Sequence, residues 1–180
     1  MGLTLDFPRF TVDGVTFTAR PDAFVLSPEG ADAASFARVE RIARNTLAQL
    51  THTPIGGYGQ NFEFRDDAPE PQMLAVFTEA DMPVTERAPE AWHIERSVLH
   101  TSYRDGDVLV NITRQYAANT NQLTVRFNFH HTAASAAVCA AMLNGEHGTR
   151  SMHENYGLAT QLVRDLFGDV ANENQPEVAA

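Results

Sequence analysis

The chain has 180 residues, of which 43% are hydrophobic and 20% charged, and its 13 basic and 23 acidic side chains give a formal net charge of -10. Every basic residue other than histidine is arginine, which excludes Schiff-base chemistry, a phosphate-loop lysine and a lysine general base. The arginines are scattered singly, so no basic stripe forms and nucleic acid is not an expected partner.

The length suits one domain of ordinary size with its own core. No apolar run approaches the roughly 18 residues of a membrane-spanning helix, so no membrane association is expected. The opening MGLTLDFPRF has neither a basic stretch nor a long apolar one, and a cytoplasmic location is the expectation. Cys139 is the single cysteine, so neither an intramolecular disulfide nor a cysteine-based zinc site can form.

In chain order, TVDGVTFTAR carries Asp13-Gly14 between short β-prone runs, a hairpin signal. AFVLS at 23–27 is another short run, ending at Pro28. DAASFARVERIARNTLAQL reads as a helix with Asp32 as N-cap, and Phe36, Val39, Ala43, Leu47 and Leu50 make one apolar face. Glu40 and Arg44 stand one turn apart and are expected to pair. From 55 to 65 the period changes to two: Tyr58, Phe62 and Phe64 share one face, while Gly57, Gly59, Asn61, Glu63 and Arg65 share the other. QMLAVF reads as a second strand after a turn through RDDAPEP. TEADMPVTERAPEAWH is acidic and contains prolines, so it reads as a long irregular connection.

SVLHTSY, DVLVNITRQY and QLTVRFNFH follow, separated by turns at Arg104-Asp105-Gly106 and at AANTN. In the last of them Leu123, Val125, Phe127 and Phe129 alternate with Thr124, Arg126, Asn128 and His130, the pattern of an antiparallel meander with one face on a core. An alanine-rich helix spans about 133 to 143 and would bury Cys139 as a structural thiol. A last helix opens on the capping box of Ser151 and Glu154. Leu158, Leu162 and Leu166, with Ala159 and Val163, are its expected buried stripe, and Gly168 its C-cap. The expected fold is therefore α+β: a largely antiparallel β-sheet with a meander, packed by a long helix of the N-terminal half and two C-terminal helices, as a single domain over residues 1–170 with a disordered polar tail at 171–180.

Candidate sites are few. The glycines of THTPIGGYGQNFEFR follow a helix and precede a strand, so the nearby helix end is the negative one, which does not suit a phosphate. Gly57 and Gly59 are instead close-approach positions, where backbone or a bulky group lies against one sheet face. The seven histidines include no HExxH pair, and His130 and His131, adjacent in a strand, point to opposite faces. No metal site and no cofactor is expected. Arg126, Asn128 and His130 stand in one polar row, with Asn111 and Thr113 able to face them from the neighbouring strand. Such a set is a candidate ligand site, in which Arg126 offers a planar fork to a carboxylate. The same row also suits a solvated face or an interface. Met82, Pro83 and Trp92, in the acidic connection, are candidate partner contacts. No motif for a nucleophilic serine occurs. The expected function is a non-enzymatic protein-interaction or accessory protein that self-associates, and the alternative is a small-molecule binder or cofactor-independent enzyme with a pocket between sheet and helices.

Overall fold

The computed structural model describes residues 8–50, 52–80, 87, 89 and 92–167. Along these residues run β1 (Arg9–Val12), β2 (Val15–Ala19), β3 (Phe24–Pro28), α1 (Ala33–Gln49), β4 (Gly57–Asp66), α2 (Pro71–Ala80), β5 (Arg96–Asp105), β6 (Val108–Ala117), β7 (Gln122–Thr132), α3 (Ala136–Met142) and α4 (Met152–Phe167). The class is α+β, as expected, but the strands divide between two antiparallel sheets. Residue contacts likewise divide the chain into two compact units. One comprises the described residues up to Tyr58 with Thr132–Asn155, the other Gly59–His131 with the described residues from Tyr156 onward.

In the first unit β1, β2 and β3 form a three-stranded sheet in that order. Val12 faces Val15, and the two residues between them, Asp13 and Gly14, have φ of 51° and 69°. That is the left-handed pair a two-residue hairpin turn requires, and Asp-Gly is among the cheapest ways to supply it. α1 begins where Asp32 accepts hydrogen bonds from the N–H groups of Ala34 and Ser35, at 2.9 and 3.0 Å, satisfying two of the donors a helix start leaves free. Phe36 and Val39 on α1 are buried, as is Val15 of β2, and α1 packs against β3 and α3. The small residues Ala136 and Cys139 are the buried positions of α3. The expected pairing of Glu40 with Arg44 gives way to longer reach: Glu40 accepts from the Met152 N–H at 2.6 Å, and Arg44 donates to Asn144 at 2.6 Å.

The capping box of α4 is reciprocal: Glu154 N–H donates to Ser151 Oγ at 3.3 Å, and Ser151 N–H donates to the Glu154 carboxylate at 2.7 Å. The expected leucine stripe of this helix needs correction. Leu158 and Leu166 are exposed, and the buried positions are Met152, Asn155, Ala159 and Val163. Ala159 and Val163 of the expected stripe are thus buried as read, and the helix turns Met152 and Asn155 inward with them in place of Leu158 and Leu166. Gly168 and the 171–180 tail lie outside the described residues.

In the second unit the strand order is β4-β7-β6-β5. The meander β5–β6–β7 forms as expected, with Asp105 opposite Val108 around a two-residue turn and Ala117 opposite Gln122. Leu123, Val125, Phe127 and Phe129 of β7 are all buried, together with Phe62 of β4 and Val110 of β6. The Tyr156 ring closes over this face at 5.5 Å from Phe62 and 5.9 Å from Phe64.

QMLAVF is not a strand. It lies within α2, whose first residue is Pro71, a position where proline's missing N–H and fixed φ suit a helix start. Met73 and Phe77, four residues apart, pack with Leu123 into a cluster joined by Leu99, Tyr116 and Phe167. A six-residue apolar run does not reveal its own period, and here the four-residue spacing, not the run, carried the structure.

Candidate functional site

The period-two alternation that buries one face of the four-stranded sheet leaves the other face polar. Register decides which of its side chains meet. β6 and β7 place Asn111 opposite Asn128 and Thr113 opposite Arg126. β5 and β6 place Ser102 opposite Asn111 and His100 opposite Thr113. β4 adds Asn61 and Glu63 beside β7. Two rows result, each crossing all four strands.

In the first row Ser102 Oγ donates to Asn111 Oδ1 at 2.7 Å, Asn111 Nδ2 donates to Asn128 Oδ1 at 3.1 Å, and Asn128 Nδ2 donates to Asn61 Oδ1 at 2.8 Å. In the second, His100 Nδ1 and Thr113 Oγ1 lie 3.0 Å apart, and Arg126 Nε donates to the Glu63 carboxylate at 2.5 Å. His100 Nε2 lies 3.4 Å from Ser102 Oγ, which links the rows. Between them is a shallow groove of about 440 Å³, lined by Asn61, Glu63, His100, Asn111, Thr113, Arg126 and Asn128, with Phe62 and Phe127 beneath.

Four of the five expected ligand-site residues, Arg126, Asn128, Asn111 and Thr113, therefore share one groove. His130 lies further along β7, opposite Leu109, and does not line it. Gly59 is a close-approach glycine, and what approaches is this chain's own Asn128: a Cβ at Gly59 would stand 2.8 Å from Asn128 Nδ2. Gly57 opens β4 in the first unit and lies outside the groove. Trp92 is 70% exposed, and Met82 and Pro83 lie outside the described residues. Asn61 and Glu63 line the groove without having been singled out by sequence reasoning, His100 lines it too, and Ser102 joins the first row without lining the groove. Alternation put Asn61 and Glu63 on the glycine face, but nothing local tells that β4 lies beside β7.

The chemistry of the groove is that of hydrogen bonding without a reactive group held ready. Ser102 directs its proton to an amide oxygen, and the group facing His100 Nδ1 is a neutral hydroxyl, not a carboxylate that would orient a general base. Arg126 is already matched by Glu63 in an exposed pair, worth at most about 1 kcal/mol, which leaves the groove close to neutral and weakens the case for a bound carboxylate. Three groups away from the groove are favoured in their neutral forms. Burial, with smaller effects of Cys139 and Glu40, pushes the Tyr58 hydroxyl up to about 12. Burial also raises the Cys139 thiol. His131, on the face opposite His130 and 1% exposed, has its pKa lowered first by burial and then by His130. Among the described residues no three histidine, cysteine, aspartate or glutamate side chains gather where they could hold a metal ion, and no helix is long and apolar enough to cross a membrane. No family model, curated protein or solved structure matches the chain.

Proposed function

We propose that this is a non-enzymatic interaction protein, which binds a protein partner on the polar face of its four-stranded sheet and associates with itself. The observation that carries the reading is the double row from β5 to β4. Its side chains are held by one another before any partner arrives, so little rotamer freedom remains to be lost on binding. The face is broad, hydrogen-bonding and close to neutral, as in the wet, polar interfaces of accessory proteins. The chain's charge of -10 would steer it toward a basic protein partner and away from nucleic acid.

A photo-cross-linking amino acid in place of Thr113, within the groove, tests this in the native cell, with one at Gln161, exposed on α4, as the control. A discrete polypeptide adduct is expected at Thr113 and not at Gln161. Adducts of the same pattern at both sites, or none at Thr113, contradict the proposal.

The groove itself favours a second reading, since about 440 Å³ lies within the size range of small-ligand sites. Its near-neutral lining suits an uncharged polar molecule. A midpoint of thermal unfolding raised by such a compound, and no longer raised after Asn111→Ala, would support this reading over the first.

A further inference from the structure

Four strands of the described residues stand at sheet edges: β1 and β3 in one sheet, β4 and β5 in the other. An unpaired edge offers its N–H and C=O groups to another chain, and proteins blunt such edges with shortness, proline or charge. β1 has four residues, and β3 has five and ends on Pro28. β4 has ten, with Glu63, Arg65 and Asp66 spread along its second half. β5 also has ten, but its charges, Arg96, Arg104 and Asp105, stand at its ends, and Ser97–Tyr103 contains no acidic residue, arginine or proline. Within that stretch Val98 and Tyr103 are 48% and 55% exposed. Among the described residues, β5 is the edge strand with none of these protections along its middle.

We propose that β5 pairs antiparallel with β5 of a second copy about a twofold axis, joining two four-stranded sheets into one of eight strands. This rests on the self-association in the function proposed above and gives it a location. Self-complementarity selects the register. Residues directly opposite in an antiparallel pair share a face, and a twofold axis makes each contact occur twice. If His100 faced its own copy, Arg96 would oppose Arg104 at both ends, and like charges directly opposite destabilise a pair. One step along, Thr101 faces its own copy. Ser97 then stands opposite Asp105, Val98 opposite Arg104, Leu99 opposite Tyr103, and His100 opposite Ser102. The arginines separate, and the aliphatic stem of Arg104 covers Val98. The two polar rows also join: the row Glu63–Arg126–Thr113–His100 of one copy runs on into Ser102–Asn111–Asn128–Asn61 of the other. Binding face and dimer edge become one continuous surface.

Thr101→Cys tests the register. Opposed residues in such a pair have Cα atoms about 4.5–5.5 Å apart, within disulfide reach. The native Cys139, fully buried, is not expected to interfere. Air oxidation should convert Thr101→Cys to a covalent dimer, and His100→Cys much less. Val98 is exposed enough to change without harming the fold. Val98→Lys should raise the dimer Kd about tenfold by facing Arg104 twice, and Val98→Glu should lower it by a similar factor. A wild-type chain that stays monomeric, or a dimer that cross-links through His100 and ignores both Val98 changes, overturns the proposal. Adducts at Thr113 would survive that outcome, whereas their loss from a chain that still cross-links through Thr101 would overturn the protein-binding function and leave the dimer in place.

Discussion

At the scale of single residues, Gly59 and His131 carry the clearest consequences. Gly59 is small because Asn128 lies over it, and Asn128 is the middle of the first polar row. Gly59→Ala should push that amide off Asn61 and Asn111 and cost about 1 kcal/mol, the low end for overpacking because an amide end can move. In an Asn128→Ala background the same change should cost close to nothing, so the double-mutant coupling from urea unfolding is the readout. Additive costs would show that the contact does not matter. His131 sets a pH dependence. Its folded pKa lies below the ordinary 6.5, so the unfolded chain takes up a proton first. Its contribution is full above about pH 6.5 and is lost as pH falls through the folded value. Glu40, raised chiefly by burial, works with the opposite sign just above the ordinary carboxylate range. Asp32 and Glu154, both lowered by the hydrogen bonds of their helix caps, lose their contribution only below that range. Between pH 8 and 5.5, wild type should therefore lose more stability than His131→Gln, and equal losses would contradict the assignment.

At the scale of elements, what could be read depended on whether the signal was local. Asp13-Gly14, the Asp32 cap, the Ser151–Glu154 box and the alternation of β7 are each decided within a few residues, and each formed as read. The pairing of Asn111 and Thr113 with Asn128 and Arg126 was also within reach, because a short turn between β6 and β7 constrains their register. Asn61 and Glu63 were not, since the pairing of β4 comes from contacts more than 60 residues away, as between Asn61 and Asn128, whereas His100 and Ser102 meet β6 across a two-residue turn that constrains their register in the same way. α2 is hidden for a different reason: QMLAVF is too short and too uniformly apolar to declare a period, and Pro71, which starts the helix, suits a turn as readily. The helix makes a definite prediction. Phe77 is 1% exposed in the cluster with Met73 and Leu123, so Phe77→Ala should cost about 3–5 kcal/mol in denaturant unfolding. A loss under about 1 kcal/mol would mean that α2 does not pack on the sheet as described.

At the scale of the molecule, the second unit presents a polar sheet face whose side chains are already committed to one another, and beside it an edge strand whose central residues, among those described, carry neither charge nor proline. Length and composition could set the class and remove whole chemistries, as the absence of lysine does. They could not show that face and edge adjoin, because adjacency is a product of topology. This combined surface is the proposed place where the protein meets other chains, its own copies included. Sedimentation equilibrium of the wild-type chain over a wide concentration range tests that most directly. The predicted result is a mass rising from that of one 19.8 kDa chain toward twice that value as concentration increases. A mass of one chain at every concentration would contradict it.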